Sequence, residues 1–193
     1  MSSRYTYEIP LVVGSGELPA ELELGALGGG LSFESEQNDD QNGLSVYPQK
    51  SESLPNVTLY ESGKYTVRAG SEEELFEVNE RVVLNEMERL SIINGEQKEQ
   101  VQFDIVNVVG NGNIGYDIDL PKLAIGLGLK HAEYESEQFP AVQYERDYYG
   151  CKFLIFGNGK IVAPGANSEE ESREAFDRLY DELMEWEELL MEK

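Results

Sequence analysis

The sequence predicts an α+β protein written twice, and three observations carry that prediction. The chain repeats itself: in "LVVGSGEL" (11–18) and "NVVGNGNI" (107–114), Val12, Val13, Gly14 and Gly16 fall on Val108, Val109, Gly110 and Gly112, an offset of 96 residues. The stretch "FLIF" (153–156) is apolar on both faces of a strand, with Phe153 and Ile155 pointing one way and Leu154 and Phe156 the other. Each half also closes on a long amphipathic helix pattern, and two long helices with two short ones can cover one face of a sheet but not both.

In chain order, each half opens with a β-branched strand that runs into a glycine-bearing turn. A short helix follows, carrying Leu24 and Leu27 in the first half and, at the same offset, Leu120 and Leu123 in the second. Several short strands come next. "FESEQ" (33–37) matches "YESEQ" (134–138) at an offset of 101, so the loop from Asn38 to Asn56 is read as a first-half expansion. The last two strands of each half meet at a tight turn, Ser62-Gly63 or Asn158-Gly159, and Asn-Gly is a strong hairpin signal. Ser168 reads as the N-cap of the final helix, with Glu169, Glu170 and Glu171 in the first turn, where the helix dipole favours carboxylates. Phe176, Leu179, Tyr180, Leu183 and Leu190 form its apolar stripe; Leu75, Val78, Val82, Val83, Met87 and Leu90 form that of the first half. Trp186 reads as a further core residue of the last helix. The repeats are placed at 5–93 and 101–191.

One face of "FLIF" is therefore left open or filled by a partner, and an open apolar strip marks an interaction surface. A homodimer burying that face is the alternative. The chain has 15 Lys and Arg against 38 Asp and Glu, a net charge of −23. That balance opposes phosphate binding at low ionic strength, since phosphates need local positive charge. It also fits a surface adapted to salt, where repulsion is screened within about 3 Å at molar concentration. A lone Cys151 excludes an internal disulfide and fits a reducing compartment. With no hydrophobic leader and no apolar run of spanning length, the expected location is cytoplasmic, without membrane association. The sequon at Asn56 is read as chance.

No catalytic constellation emerges. "GNGNIG" (110–115) has the dinucleotide spacing, but Asp117, Asp119 and Pro121 delay the helix start and would repel a pyrophosphate, so it is read as a turn. His131 is the only histidine and has no nucleophile nearby in sequence; Cys151 reads as a strand residue. The carboxylates lack metal-ligand spacing. The expectation is a non-enzyme without cofactor.

"NVVGNGNIGYDIDLPKLA", "AEYESEQFPAV" and "KFLIFGNGKIVAPGAN", followed by an acidic-start helix, resemble in order and spacing the second repeat of TATA-box-binding proteins, most closely the archaeal ones. The resemblance covers 103–187; the first half joins it only through the internal repeat. It implies a pseudo-twofold saddle, a curved antiparallel sheet with helices on its convex face and a concave face seated on the DNA minor groove. Phe139 and Phe156 fall on the family's intercalating pair, which kinks the duplex. Pro140 follows the first of them. Val109, Leu154 and Val162 fall on apolar groove-floor positions, Asn107 on a base-bonding Asn, and Lys160 with its repeat partner Lys64 on phosphate-contacting lysines. Glu135 and Glu137 fall in the segment that contacts transcription factor B.

The departures from the family also carry information. The phosphate-binding Arg after the Tyr of "PAVQYE" is Glu145, with Arg146 adjacent as a substitute; the Thr and Lys of the family's "TGAK" are Pro164 and Asn167. In the first repeat Leu11 takes the Asn position, Asn38 and Tyr60 the wedges, and Thr58 and Thr66 the floor. The resemblance implies a minor-groove-binding initiation factor for A·T-rich double-stranded DNA, nucleoid-associated, acting with transcription factor B as a monomer or weak dimer. The alternative is an interaction module on the same fold that engages transcription factor B or another protein without bending DNA.

Overall fold

The computed structural model describes residues 5–38, 42–49 and 54–185. The chain divides into two compact units, an N-terminal one of Leu11–Val106 and a C-terminal one formed by the chain up to Pro10 and from Asn107 onward. Both are α+β.

The N-terminal unit runs β1 (Thr6–Glu17), α1 (Leu24–Gly30), β2 (Glu34–Asn38), β3 (Gly43–Tyr47), β4 (Asn56–Tyr60), β5 (Lys64–Ala69), α2 (Glu72–Val78), α3 (Asn85–Arg89) and α4 (Gly95–Gln100). Its strands are antiparallel in the order β2-β3-β4-β5-β1. Alternation sends Val57, Leu59, Tyr65, Val67 and Ala69 into the core, beneath Leu75, Val78, Val82, Val83 and Met87. The single long helix expected here is interrupted: α2 and α3 are joined by a wider π turn over Asn79–Leu84. Buried Asn79 accepts a bond there from the Tyr65 hydroxyl at 2.9 Å. Glu86, 7% exposed, pins α3 to the end of α1. Its Oε2 accepts from Ser32 N at 2.9 Å and Arg89 Nη2 at 2.7 Å, and Arg89 Nη2 also donates to Gly30 O at 2.6 Å.

The C-terminal unit runs β6 (Phe103–Asn113), α5 (Leu120–Leu127), β7 (Ala132–Glu133), β8 (Ala141–Glu145), β9 (Lys152–Phe156), β10 (Lys160–Ala166) and α6 (Glu169–Met184). The strand order is β6-β10-β9-β8-β7, all antiparallel. Val108, Val142, Tyr144, Phe153, Ile155, Ile161 and Ala163 are buried on one face, under Leu123 and Leu127 of α5 and Phe176, Leu179 and Leu183 of α6. Ser168 caps α6, its hydroxyl accepting from Glu171 N at 3.0 Å, as the sequence predicts. The expected hairpin turns also form: Gly63 (φ +85) and Gly159 (φ +77) donate to Tyr60 O and Phe156 O, each at 3.0 Å. Trp186 and Leu190 lie outside the described residues.

Two expectations are corrected. "GNGNIG" is not a turn: Gly110 and Gly112 sit inside β6, where their missing side chains admit α6. A Cβ at Gly112 would lie 2.5 Å from Phe176 Cε1, and one at Gly110 2.7 Å from Ser172 Oγ. The twin words "FESEQ" and "YESEQ" also fold differently. Glu34–Asn38 pairs along its whole length with Tyr47–Gly43, whereas β7 stops after Glu133. Beyond it, Gln138 N and Phe139 N both donate to Glu135 O at 2.9 Å, and Pro140 has no N–H to give a ladder. Pairing sets Glu36 opposite Ser45 and Glu133 opposite Gln143, so β2 and β7 correspond at an offset of 97 rather than 101. Asn38 is thus not the counterpart of Phe139. A counterpart falls in the connection 39–42, of which only Asn42 is among the described residues.

Candidate nucleic-acid interface

With the helices on one side of the C-terminal sheet, the alternate residues of its central strands face the other way. Asn107 and Val109 of β6, Leu154 and Phe156 of β9, and Val162 and Pro164 of β10 are all half-buried, alternating with the buried Val108, Phe153, Ile155, Ile161 and Ala163. Register lines them into cross-strand rows. One runs Asn111, Val162, Leu154, Gln143; a second sets Val109 beside Pro164; a third sets Phe156 against Ala141. The result is an apolar strip bordered by amides, which answers the question raised by the two-faced "FLIF".

Phe139 reaches this strip from the turn before β8. Its ring centroid lies 6.1 Å from that of Phe156, with the planes inclined at 59°. Both rings are half-buried, and Pro140 beside them is exposed. Two residues 17 positions apart in sequence are thereby brought together at one end of the strip. Such a pair gains from tilted-ring contact while keeping apolar area in reach of a ligand.

Asn107 stands at the other border. Its Oδ1 accepts from Gly165 N at 2.8 Å, at a bulge between Pro164 and Ala166 where Gly165 takes φ +113. Because the backbone N–H is a donor, the amide orientation is set, and the Asn107 NH2 is left as a donor pair on the open face. Lys160, exposed, sits at the start of β10, where the Asn158 side chain caps its N–H at 3.1 Å. Lys64 holds the matching exposed place in the N-terminal unit. Glu135 and Glu137 are exposed in the turn leading to Phe139, where the Gln138 side-chain amide donates to the Glu135 carboxylate.

Arg146 does not replace the cation missing at Glu145. Its guanidinium lies 5.7 and 5.8 Å from the Tyr144 and Tyr148 rings and donates to Leu127 O at 3.3 Å, on the helix side. Lys152 is the cation that sequence reasoning missed. It lies opposite Glu145 in the β8–β9 ladder and donates to Gln143 Oε1 at 2.6 Å on the open face. The alternation that places Leu154 there gives Lys152 away, two residues earlier.

Chemistry elsewhere is sparse. Cys151 is buried just before β9, and burial pushes its thiol up to about 12, far from a reactive thiolate. His131 lines an open depression of about 500 Å³ with Lys130, Lys152, Glu133, Glu145 and Asp147, a mixed-charge rim. Among the described residues no group of three or more His, Cys, Asp or Glu is placed to hold a metal, and no helix is long and apolar enough to cross a membrane.

Comparison with known proteins agrees with this geometry. Residues 102–186 match the family model described as transcription factor TFIID (or TATA-binding protein, TBP). Over 181 residues the chain is 36% identical to TATA-box-binding protein C of Halobacterium salinarum, covering 93% of this chain and 98% of that protein. It is 31% identical over 180 residues to the TATA-box-binding protein of Natronomonas pharaonis, covering 93% and 94%. The solved structure of Methanococcus jannaschii TBP superposes with a TM-score of 0.72 at 28% identity, over 93% of this chain and 98% of that one. The chain belongs to the TATA-box-binding protein family.

Proposed function

We propose that this chain is a transcription initiation factor that binds the minor groove of A·T-rich DNA with the open face of its C-terminal unit. The observation that carries the reading is the Phe139–Phe156 contact at the end of an apolar strip. A minor groove of A·T pairs offers acceptors without the guanine amino group, so apolar floor residues with a single amide donor suit it. Val109, Leu154 and Val162 form the floor and Asn107 the donor. Phe139 and Phe156 enter a base step and kink it, at a cost of a few kcal/mol per unstacked step. Burying two Phe rings returns roughly 1.5–3 kcal/mol each, which offsets that cost. Lys160 and Lys64 meet phosphates. With a net charge of −23, attraction is local and repulsion global. Binding therefore needs the short screening length of concentrated salt, about 3 Å at 1 M against about 10 Å at 0.1 M.

Transcription factor B docks on the exposed turn bearing Glu135 and Glu137, and the chain works as a monomer or weak dimer in the nucleoid. The alternative of an interaction module that engages transcription factor B or another protein without bending DNA is not favoured, because relatives matching over nearly their whole length are named TATA-box-binding proteins. Titration of the protein into TATA-containing and G·C-rich duplexes from 0.1 to about 3 M KCl, with and without transcription factor B, tests the reading. Selective binding of the TATA duplex that strengthens with the factor is expected; equal affinity for both duplexes at every salt concentration contradicts it.

A further inference from the structure

Within the N-terminal unit a groove of about 310 Å³ opens between α1 and the chain that leaves α3. Leu22 and Leu27 line it from the α1 side, Leu90 and Ile92 from the α3 side, and the exposed Ala26 lies among them. Its walls are fixed in advance. Leu22 N donates to Glu61 O at 2.9 Å, which ties the approach to α1 to the turn after β4. On the other side α3 ends in a Schellman turn: Ser91 takes φ +59, its N–H donates to Glu88 O and that of Ile92 to Met87 O, both at 2.9 Å. The bonds from Ser32 and Arg89 to Glu86, and from Arg89 to Gly30, hold α3 against α1. A groove whose walls are already ordered costs little to fill.

The rim is charged. Glu21 and Glu23 both line the groove and are exposed, and neither has an ion-pair partner among the described residues. Glu23 stands at the head of α1 without capping it through its side chain. The C-terminal unit meets the same situation with its own lysine. At the offset of 96, Asp119 and Lys122 occupy the places of Glu23 and Ala26; there the Asp119 carboxylate caps α5 and pairs with Lys122 Nζ at 2.7 Å. The N-terminal unit keeps the carboxylate and lacks the lysine.

We propose that this groove docks a basic segment of a partner protein. One apolar side chain of the segment enters between Leu27 and Ile92, and a flanking Lys or Arg pairs with Glu23 or Glu21 as Lys122 pairs with Asp119. A cavity of about 150 Å³ takes a benzene ring, so this groove suits a single large side chain. With 38 Asp and Glu against 15 Lys and Arg in the chain, an acidic segment is repelled. In molar salt the charges act only near contact, and the apolar anchor carries the affinity.

The test titrates short amidated peptides into the full, isotope-labelled chain at about 0.1 and about 1 M KCl and follows the backbone amides by NMR. The peptides carry a central leucine, tryptophan or serine, flanked by lysines or by glutamates. Lysine-flanked leucine or tryptophan peptides shift the amides of Ala26, Leu27 and Ile92. A serine anchor weakens binding about tenfold, and glutamate flanks weaken it at least about threefold at the lower salt. Ala26→Lys, which copies the C-terminal arrangement at an exposed position, removes the shifts and leaves the melting curve unchanged. Glu21→Gln/Glu23→Gln keeps the anchor dependence and loses the preference for lysine flanks. Shifts that persist in Ala26→Lys or map to another surface, an equal response to serine and leucine anchors, or no shift with any peptide at about 5 mM overturns the proposal. No duplex is present, so the proposed function stands or falls separately.

Discussion

Replacing Gly112 by Ala tests why the strand of the second repeat carries glycines at alternate positions. The new methyl would lie 2.5 Å from Phe176 Cε1 and 3.1 Å from both Phe176 Cδ1 and Thr6 O. To restore an ordinary carbon contact of about 3.5 Å the ring must move by about 1 Å. Phe176 is 2% exposed and already meets the rings of Tyr7 at 4.8 Å and Phe153 at 5.8 Å, so it has little room to retreat. Overpacking of this kind costs about 1–3 kcal/mol. Loss of glycine's freedom in the unfolded chain returns about 0.4–1 kcal/mol, so destabilisation wins. For a chain of this size the melting temperature should fall by roughly 2–8 °C in thermal unfolding followed by circular dichroism. Adding Phe176→Leu, which shortens the offending ring, should recover part of the loss, giving a coupling of at least about 0.5 kcal/mol in the double-mutant cycle. Gly112→Ala melting within about 1 °C of the parent, or strictly additive effects, would refute the close-approach argument.

Three further outcomes are expected. Gly126 in α5 has open space around its Cβ position, so Gly126→Ala should stabilise by about 0.5–1 kcal/mol in the same melts. Glu86 has its carboxyl held below the ordinary 4.5 by the hydrogen bond from Arg89, helped by Ser32 and opposed by burial. A depressed folded value contributes stability above the unfolded pKa that is lost as pH falls through the folded one. Glu86→Gln should therefore cost about 1–3 kcal/mol at pH 7, with the gap to the parent narrowing as pH falls below about 4.5. Asn107→Leu removes both the groove-facing donor and the bond to Gly165, so titration against a TATA duplex should show affinity about tenfold lower, near 1.4 kcal/mol.

Much of this architecture is legible in the sequence because alternation and turn chemistry are local. The two-faced "FLIF", the Gly63 and Gly159 turns and the Ser168 cap each follow from a few neighbouring residues. What failed depended on distant partners. "FESEQ" and "YESEQ" share four residues, yet one becomes a strand because β3 pairs with it throughout and the other a turn because Pro140 interrupts the ladder. Gly110 and Gly112 read as a turn because nothing local reveals that α6 presses on them. Arg146 follows Glu145 in sequence, but strand alternation and two tyrosine rings draw it to the helix side, while Lys152, across the ladder, holds the open one. Of the candidate site, the apolar strip follows from strand alternation and the aromatic pair from the family resemblance; the fixed orientation of the Asn107 amide required the bulge at Gly165.

The account depends on Phe139 and Phe156 entering a base step from an otherwise open sheet face. Energy transfer between dyes at the ends of a TATA duplex, in molar KCl with saturating protein, measures this directly. The account predicts a shortened end-to-end distance that returns to the free-duplex value in Phe139→Ala/Phe156→Ala. An unchanged distance with the parent protein bound, or an equal shortening with the double variant, would contradict it.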